Sequence, residues 1–483
     1  MVKGPRWIPL LGSLNCLRSY SVKYGGQQYG LHELSKKWNS SILGFKMGQE
    51  IVVVVEDFQT IKEILMSEDY DQRPKNFFTN IRTLGTFKGA FVFALNSLSY
   101  KIILGITCAE GKLWEEHRKF TIKHLRHIGL GKNIMDLKIN EEIQNLFKTI
   151  EAQEVVQISH HLPFTIFNIL WVLIAGSRIS SETFQRNQLL NTMTKRTKAF
   201  DMCGGILTPC PWLRHIIPDK SGYNVIKKLN KEVKTFLLET INEHHDTWEA
   251  GNKEDFIYSF ISEMKNQNEK TTTFTDEQLL LVCLDLFVGG FTTTSCTLDF
   301  VVLLMLLNQD IQTKAYEILD TTFDKTHAIK YQDRYKVPFI QAVINEAQRF
   351  RNIIPIIGPR RVAKDTILAE YSIPKNTTVL INLHPTLMSK EIWGDPENFR
   401  PARFLNDHDE LITYPEFIPF GLGKRKCLAD IFARGCLFVI TCEILRNYII
   451  LPVDSNNLPS AKPVPGLITT PQPYFAKFQR RCR

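Results

Sequence analysis

The ten cysteines of this sequence are scattered singly, and none of them follows a spacing that is typical of a metal site or a disulfide framework. They run from Cys16 to Cys482, and no pair is spaced as C-x-x-C. Zinc-ribbon folds and small disulfide-stabilised secreted domains are therefore excluded. We expect a protein of a reducing compartment in which most cysteines pack as small buried hydrophobic side chains.

Several other signals are absent from the sequence. It has no block of lysine and arginine with interleaved aromatic residues, so nucleic-acid binding is not expected. It has no recognisable secretory signal peptide, no internal repeat and no flexible interdomain linker. The 59 basic and 50 acidic side chains leave a net charge of +9, which favours contact with an anionic membrane surface or an acidic protein partner.

Hydrophobic patterning predicts a mainly helical chain with a few short strands. Of the 483 residues, 44% are apolar and 23% are charged, which is typical of a globular protein large enough to enclose a cofactor. The β-branched run at residues 51–55 predicts a strand, and helical spacing dominates residues 136–330. A helix over about residues 275–307 is apolar nearly all round and should be buried, because Asp285 and Asp299 argue against a membrane span.

The last third of the chain has a different pattern. Prolines recur beyond Tyr335, which predicts short helices, short strands and packed loops before a final long helix over about residues 428–447. We therefore predict a mainly α fold with small β-sheets, in a single large domain that spans residues 1–483.

The stretch FGLGKRKCLA, residues 420–429, places one cysteine between a glycine-rich loop and the start of an apolar helix. A thiolate at Cys427 would be stabilised by nearby positive charge and by the amide end of that helix. Gly421 and Gly423 let the backbone approach a flat, bulky group, and Phe420 shields one side of the sulfur. The alternative is an ordinary cysteine at the start of a helix, beside a solvated loop. The basic residues of the stretch are Lys424, Arg425 and Lys426.

Four other motifs accompany this stretch. EGKLWEEHRKF places Trp114 and Arg118 on one face of a helix, and DLFVGGFTTTS lies midway along the long helix of residues 275–307. NEAQRF places Glu346 and Arg349 one helical turn apart, and FRPARF lies in the proline-rich part. In this order, and over nearly the whole chain, the motifs resemble those of the cytochrome P450 family of haem-thiolate monooxygenases, of the animal microsomal type.

The resemblance implies a cytochrome P450 fold that encloses haem b, iron protoporphyrin IX. Cys427 is then the axial ligand of the iron, and its thiolate favours O–O cleavage. Cationic donors are expected to hold the anionic haem propionates. Arg360 and Arg361, in IIGPRRVAKD, alternate along a strand, so only one of them should point inward. The candidate cofactor-binding residues are Trp114, Arg118, Gly289, Arg360, Arg361, Phe420, Gly423 and Arg425.

The resemblance also implies that the long helix crosses the distal face of the haem. Gly289 and Gly290 would let this helix open so that oxygen enters. Thr293 matches the family threonine that hydrogen-bonds dioxygen and relays protons, and it is the candidate catalytic residue. The alternative is a threonine that only satisfies a carbonyl one turn back. A buried charge network with a structural role is expected from Glu346, Arg349 and Arg403.

The sequence departs from the family pattern at three places. Thr292 stands where the family usually has Asp or Glu before the catalytic threonine, so acid-assisted proton delivery is in doubt. Water or a chain of threonines would then deliver the protons, or the reaction is one that needs fewer protons. Ala429 stands where a glycine is usual, and it remains small. Residues 90–104 resemble an insertion. Two explanations stay open for them, a membrane-dipping lid and an intron read in frame, and we favour the second.

The resemblance further implies partners and a location. We expect an apolar small-molecule substrate and electrons from NADPH through NADPH-cytochrome P450 reductase, with cytochrome b5 as a further donor. The chain is expected at the cytoplasmic face of the endoplasmic reticulum membrane. GPRWIPLLGS resembles the hinge that follows the anchor helix of microsomal members, with that helix gone, so we expect either a truncated chain or one that contacts the membrane surface peripherally. Two alternatives remain: a haem-thiolate isomerase or dehydratase that acts without NADPH, and a non-catalytic haem-binding protein.

One helix is strongly basic, and the resemblance implies that this face of the protein docks the acidic reductase. An ordinary solvated face is the alternative. The basic residues of this region are His117, Arg118, Lys119, Lys123, His124, Arg126, His127 and Lys132.

Overall fold

The computed structural model of the chain describes residues 2–9, 11–48, 50–84, 87–88, 102–179, 192, 205–207, 210–267 and 272–482. Within these residues the α-helices are, in chain order, α1 (Leu14–Tyr24), α2 (Gln27–Trp38), α3 (Phe58–Met66), α4 (Phe77–Arg82), α5 (Gly111–Ile128), α6 (Asn133–Glu151), α7 (Leu162–Ala175), α8 (Leu213–Ile216), α9 (Tyr223–Asp246), α10 (Phe256–Asn266), α11 (Asp276–Leu307), α12 (Gln309–Thr322), α13 (Pro338–Phe350), α14 (His384–Leu387), α15 (Lys390–Trp393) and α16 (Asp430–Asn447). The strands are β1 (Ile42–Met47), β2 (Glu50–Val55), β3 (Phe87–Lys88), β4 (Ile102–Ile103), β5 (Ile356–Arg361), β6 (Thr366–Leu368), β7 (Tyr371–Ile373), β8 (Thr378–Asn382), β9 (Tyr448–Pro452) and β10 (Ala476–Arg480).

The long helix α11 forms the centre of the helical core. It starts where the sequence predicts, because the Thr275 side chain accepts a hydrogen bond from the Gln278 N–H, 3.3 Å away. The helix runs unbroken through Gly289 and Gly290. A Cβ at Gly290 would lie 2.4 Å from Cδ2 of Leu170, so this glycine lets α11 and α7 pack closely. The helix is therefore a buried element of the core.

Within the described part of the chain, two helical segments are long and apolar enough to cross a membrane, Ile158–Ala175 and Asp276–Leu307. Most of each segment is buried inside the protein. The expectation that the longer one is a core helix is confirmed.

The largest sheet has four strands in the order β1-β2-β8-β5. Strand β2 pairs antiparallel with β1 and parallel with β8, and β8 pairs antiparallel with β5. The valine run of β2 is buried on both faces, because Val53 and Val55 pack into one hydrophobic cluster and Val52 and Val54 into another. This confirms the strand predicted at residues 51–55. Strand β5, which carries two of the candidate arginines, is held in the same sheet through its pairing with β8.

The fold class is confirmed: the chain is mainly α with small β-sheets. The final helix α16 begins at Asp430, two residues later than predicted. Of the predicted insertion, residues 90–101 lie outside the described part of the chain. Near its end, Ile102 and Ile103 pair with Lys88 and Phe87, which precede the insertion. Both explanations of this segment stay predictions.

Candidate active site

The cysteine loop before α16 is held in a tight conformation by its own backbone. The Cys427 N–H donates a hydrogen bond to the Phe420 carbonyl oxygen, 2.8 Å away. Gly421 and Gly423 have φ angles of 74° and 70°, in the left-handed region that favours glycine. A Cβ at Gly423 would lie 2.0 Å from the carbonyl oxygen of Leu65, so this glycine also lets the loop pack on α3. The loop thereby holds the sulfur at the start of α16.

The electrostatic surroundings of the sulfur differ from the sequence expectation. Burial raises the pKa of the Cys427 thiol above its usual value. A hydrogen bond from the Ala429 backbone and the charges of Arg118 and Arg434 lower it, but they do not outweigh burial. A metal ion deprotonates a thiol that coordinates it. This sulfur is therefore suited to a metal-bound thiolate rather than to a free nucleophile.

The two lysines of the loop have other partners. Lys424 forms an ion pair with Glu68, and the Lys426 ammonium lies 3.9 Å from the Asp430 carboxylate. The expectation that Lys424 and Lys426 stabilise the thiolate is wrong, because the positive charges that lower the pKa of the thiol belong to Arg118 on α5 and Arg434 on α16.

Helix α5 carries Trp114 and Arg118 toward the cysteine loop. Nη2 of Arg118 donates to the Lys426 carbonyl oxygen at 2.7 Å. The buried Trp114 ring packs under Arg425, whose guanidinium carbon lies 3.8 Å from the ring centroid. These contacts bring three of the candidate haem-binding residues together around one cysteine.

Two of the candidate arginines, the buried Arg360 and the half-buried Arg425, leave part of their hydrogen-bonding capacity unused. Nε of Arg425 and Nε of Arg360 are both buried without a hydrogen-bond partner. Burial lowers the pKa of Arg425 to about 10, and the charge of Arg360 adds to this effect. Nη1 of Arg360 pairs with the Asp71 carboxylate at 3.0 Å. Buried polar groups are rarely left unpaired, so these nitrogens indicate room for an anionic ligand.

Arg361 differs from its neighbour on β5. Its guanidinium donates to the Glu110 carboxylate at 2.6 Å, to Asn376 Oδ1 at 2.7 Å and to the Arg73 carbonyl oxygen at 2.9 Å. Because its nitrogens bind protein acceptors, Arg360 is the better candidate of the two for binding a cofactor.

The distal residues lie on one stretch of α11. Gly289 is exposed to a cavity, and the Thr293 hydroxyl donates to the Gly289 carbonyl oxygen at 2.7 Å. Thr292 is buried, and its hydroxyl has no hydrogen-bond partner. Thr293 therefore satisfies a carbonyl one turn back, and its neighbour has an unused hydrogen-bonding group.

A cavity lies between the cysteine loop and α11. The space that no protein atom occupies measures about 910 Å³, including the part open to solvent. Its lining includes five of the sequence candidates, whereas Thr293, Arg360, Arg361, Phe420 and Gly423 lie outside the lining. The five are Trp114, Arg118, Gly289, Arg425 and Cys427.

Sequence reasoning did not single out the polar residues Arg73, Thr107 and Asp285, which also line this cavity. Arg73 and Thr107 belong to none of the motifs quoted above, and no signal in a single sequence marks them. Asp285 is the first residue of DLFVGGFTTTS, but it was used only as an argument against a membrane span and was not named as a site residue. A polar residue one turn before two glycines on an apolar helix was the signal that could have found it.

The charge network behind the cavity is confirmed. Arg349 donates to Glu346 through Nε at 2.7 Å and Nη2 at 2.8 Å, and Arg403 Nε donates to the same carboxylate at 3.0 Å. All three side chains are buried. The network joins α13 to the proline-rich segment.

The basic surface is smaller than the sequence suggested. His117 is buried between Phe260 and Phe274, and burial lowers its pKa to about 4, so it is neutral at physiological pH. The exposed cations and histidine that remain are Lys119, Lys123, Arg126, His127 and Lys132.

The donor set of the cavity fits an iron porphyrin. A sulfur at a helix start can bind the metal, and Arg425 offers an unused buried donor for a carboxylate. Gly289 leaves the face of α11 without a side chain opposite the sulfur loop. The fold and the cavity together define a mainly α protein built to enclose a large cofactor.

Comparison with known proteins identifies the family. The cytochrome P450 family model matches residues 2–478. The chain is 37% identical to the probable cytochrome P450 305a1 of Drosophila melanogaster, over 99% of this chain and 94% of that protein. It is 30% identical to the farnesoate epoxidase of Bombyx mori, over 99% and 93% of the two chains, and 30% identical to human cytochrome P450 2U1, over 94% and 81%.

The chain therefore belongs to the cytochrome P450 family. It is a haem-binding monooxygenase of that family.

Proposed function

We propose that this protein inserts one oxygen atom of O2 into an apolar small-molecule substrate, with haem b whose iron the Cys427 sulfur would bind. The observation that carries the proposal is the position of the Cys427 sulfur, at a cavity that Trp114, Arg118 and Arg425 also line. Electrons would come from NADPH through NADPH-cytochrome P450 reductase, with cytochrome b5 as a second donor.

The residues around the cavity would have different roles in binding the haem. When bound, the haem supplies oxygen activation and oxygen transfer, and its thiolate ligand favours O–O cleavage. Arg118, Arg360 and Arg425 would bind the propionates by charge-assisted hydrogen bonds. Phe420 and Gly423 hold the ligand loop, through the hydrogen bond from the Cys427 N–H and the contact with α3.

Proton delivery would start from the hydroxyls of α11. The Thr293 hydroxyl donates to the carbonyl oxygen of Gly289, which lines the cavity, so this hydroxyl would have to turn away from that carbonyl to reach a bound ligand. Because Thr292 carries no acid, we propose that water bound at its unpaired hydroxyl supplies the next proton.

The substrate class follows from the apolar part of the lining. Ile106, Leu170, Leu173 and Leu286 line the cavity. Such a surface favours an apolar molecule. A relative with 30% identity is named a farnesoate epoxidase, which agrees with an apolar substrate.

A second function is favoured by one observation, the replacement of the usual acid by Thr292. A haem-thiolate isomerase or dehydratase that rearranges a peroxide needs fewer delivered protons and no NADPH. Oxygen and NADPH consumption in the presence of reductase is expected for the monooxygenase. Conversion of a lipid hydroperoxide without NADPH would instead support the isomerase, and a chain with neither activity would be a haem-binding protein only.

The decisive experiment is the spectrum of the reduced, carbon-monoxide-bound protein. A thiolate-bound haem gives a strongly red-shifted Soret band, which Cys427→Ala should abolish. Cys436→Ala is the matched control, because this cysteine is fully buried within α16. Retention of the shifted band in Cys427→Ala would overturn the assignment of the ligand.

We further propose that the protein works at the cytoplasmic face of the endoplasmic reticulum membrane and docks the reductase on its basic surface. The exposed Lys119, Lys123 and Arg126 on α5 support this docking. Reversing the charge of Lys119 and Lys123 should slow reduction at low salt, whereas reversing Lys227 and Lys228 on α9 should not. Reduction rates that ignore both salt and these variants would contradict the docking surface.

A further inference from the structure

Helices α9 and α10 are joined by a buried pair of a histidine and an aspartate. Nε2 of His244, in the last turn of α9, lies 3.1 Å from Oδ2 of Asp255, the residue that caps the start of α10. Both side chains are buried, and Nδ1 of His244 lies 2.7 Å from the carbonyl oxygen of Thr240. Each ring nitrogen of His244 therefore faces an oxygen atom.

These contacts determine the charge of the histidine ring. A main-chain carbonyl oxygen can only accept a hydrogen bond, and the same holds for an ionised carboxylate. Both ring nitrogens of His244 must then donate, and an imidazole ring carries two N–H groups only when it is protonated. The geometry therefore favours a positively charged His244 that is paired with a negatively charged Asp255.

The ends of three helices meet at this pair. His244 lies near the C-terminus of α9 and Asp255 at the N-terminus of α10, where the partial charges of the helix ends stabilise a cation and an anion respectively. Oδ1 of Asp255 also accepts from the Tyr258 N–H at 2.8 Å. Gly176 follows the end of α7, and a Cβ there would lie 2.9 Å from Oδ2 of Asp255. We call Gly176, His244 and Asp255 the helix-end junction.

Two further titratable side chains lie close to the pair. The centroid of the Tyr258 ring lies 4.5 Å from that of the His244 ring, and the Tyr258 hydroxyl is hydrogen-bonded to Thr247. Cys283 on α11 is fully buried, and burial together with the charge of Asp255 raises the pKa of its thiol, which therefore stays neutral. Asp255 is thus the charged partner that governs the ionisation of His244.

The ionisation of His244 gives the junction a pH dependence of definite sign. Burial lowers the pKa of His244, but Asp255 and the backbone of Thr240 raise it by more, so the net change is upward from 6.5. Because this pKa is higher in the folded chain than in the unfolded chain, the charged contacts contribute fully below about pH 6.5 and are lost as the pH rises through the folded pKa. The junction should therefore loosen in alkaline solution.

We propose that His244 is a pH-sensitive switch, which holds the last turn of α9 against α7 and α10 while it is charged and releases that turn when it loses its proton. Of the described residues that line the cavity, none belongs to the helix-end junction. The inference therefore goes beyond the proposed function and does not depend on the haem.

Hydrogen exchange of the holoenzyme, followed by mass spectrometry, tests the switch. After correction for the intrinsic effect of pH on exchange, the amides of residues 241–260 should lose protection at least about tenfold between pH 6 and pH 9, because a charge-assisted hydrogen bond is lost. In His244→Gln the side chain cannot become charged. Protection in this variant should be lower than in the wild type at pH 6 and should change less than about twofold up to pH 9.

The neighbouring histidine offers a matched control. His245 pairs with the exposed carboxylate of Asp276 at 2.8 Å, at the surface, where solvent weakens the interaction. His245→Gln should therefore keep the wild-type loss of protection over residues 241–260.

The nitrogen chemical shifts of the His244 ring report its charge directly. With isotope-labelled histidine rings, the signal of His244 is assigned by its absence from His244→Gln. Both ring nitrogens should be protonated at pH 6, and one should lose its proton over the pH range in which protection falls.

The outcomes separate the switch from the proposed function. A ring of His244 that is neutral at pH 6, or equal losses of protection in the wild type and His244→Gln, would overturn the inference. If His244→Gln does not fold, Asp255→Asn takes its place, because asparagine still caps α10 but carries no charge, and its response to pH must be weaker than that of the wild type. A wild type without a thiolate-type spectrum would reject the proposed function, while the exchange measurement would still decide whether His244 is a switch.

Discussion

Two pairs of arginines in the described part of this protein differ in how many of their buried guanidinium nitrogens have a hydrogen-bond acceptor. In the first, Arg349 and Arg403 share the Glu346 carboxylate and direct further nitrogens at main-chain carbonyls. In the second, Arg360 and Arg425 each keep a buried Nε without a partner. In the first cluster the shared carboxylate and main-chain carbonyls supply acceptors, whereas the two Nε atoms of the second have none.

The difference separates scaffold from binding site. A buried ion network with all its hydrogen bonds made fixes one arrangement of the chain, and removal of one member leaves a charge uncompensated. Buried donors without partners reduce stability until a ligand supplies the acceptors. Substitutions in the two clusters should therefore have opposite effects on the haem-free chain.

The largest effect is expected from Glu346→Gln. This change leaves Arg349 and Arg403 buried side by side without their shared negative charge, which should lower the free energy of unfolding by about 3–5 kcal/mol. Urea denaturation followed by circular dichroism measures it. Glu141→Gln, on the exposed face of α6, is the control and should change stability by less than about 0.5 kcal/mol. Equal effects of the two changes would mean that the network is not a scaffold.

Asp299, a buried carboxyl on α11, is a third case, because its side-chain hydrogen bond comes from the Tyr474 hydroxyl and not from an arginine. Burial raises the pKa of Asp299 to about 7, and a hydrogen bond from Tyr474, 2.9 Å away, only partly opposes this. A raised pKa in the folded state means that the folded protein loses stability as the pH rises from about 4 through 7. Asp299→Asn keeps an acceptor for Tyr474 and removes this loss.

Asp299→Asn should therefore gain about 2–4 kcal/mol over the wild type at pH 8 and show little gain at pH 4. Thermal unfolding at a series of pH values measures the difference. Asp310→Asn, at an exposed position of α12, should show no such pH dependence. A gain that is the same at pH 4 and pH 8 would contradict the raised pKa.

Motif spacing predicted the first cluster well and the second only in part. Glu346 and Arg349 lie one helical turn apart, so local geometry alone brings them together. The start of the helix predicted over about residues 275–307 is also fixed locally, because the Thr275 side chain accepts from the Gln278 N–H. The strand at residues 51–55 was also predicted correctly, because β-branched residues on both faces are typical of a strand in a buried sheet.

The second cluster depends on contacts between distant parts of the chain. No spacing could show that Arg361 binds Glu110 while Arg360 keeps an unused nitrogen. The lysines of the cysteine loop looked equivalent to its arginine in sequence, but their partners are Glu68, in the turn after α3, and Asp430, at the start of α16. The same reason explains why Asp285 was not recognised as part of the cavity wall.

Arg425→Met tests the unsatisfied cluster. It removes a buried, partly unpaired charge, so the haem-free chain should become more stable by about 1 kcal/mol, while haem affinity should fall about tenfold, or 1.4 kcal/mol. Haem transfer to apomyoglobin and urea denaturation of the haem-free chain measure the two effects. Arg361→Met is the control with the opposite sign, because it leaves Glu110 without this partner and should destabilise the haem-free chain.

The smallest effect is expected from the lysines of the cysteine loop. Lys424 binds Glu68 at the surface, and Lys426 lies near Asp430, so exchanging both for glutamine should alter stability by less than about 1 kcal/mol and leave the carbon-monoxide spectrum unchanged.

Arg118→Gln removes a charge that lowers the pKa of the Cys427 thiol, and it should reduce the fraction of haem in the thiolate-bound form. The reduced carbon-monoxide spectrum, recorded for both variants over a pH series, gives this fraction directly. A loss of the shifted band in the double lysine variant, with Arg118→Gln unaffected, would return the stabilising role to the lysines that the sequence first suggested.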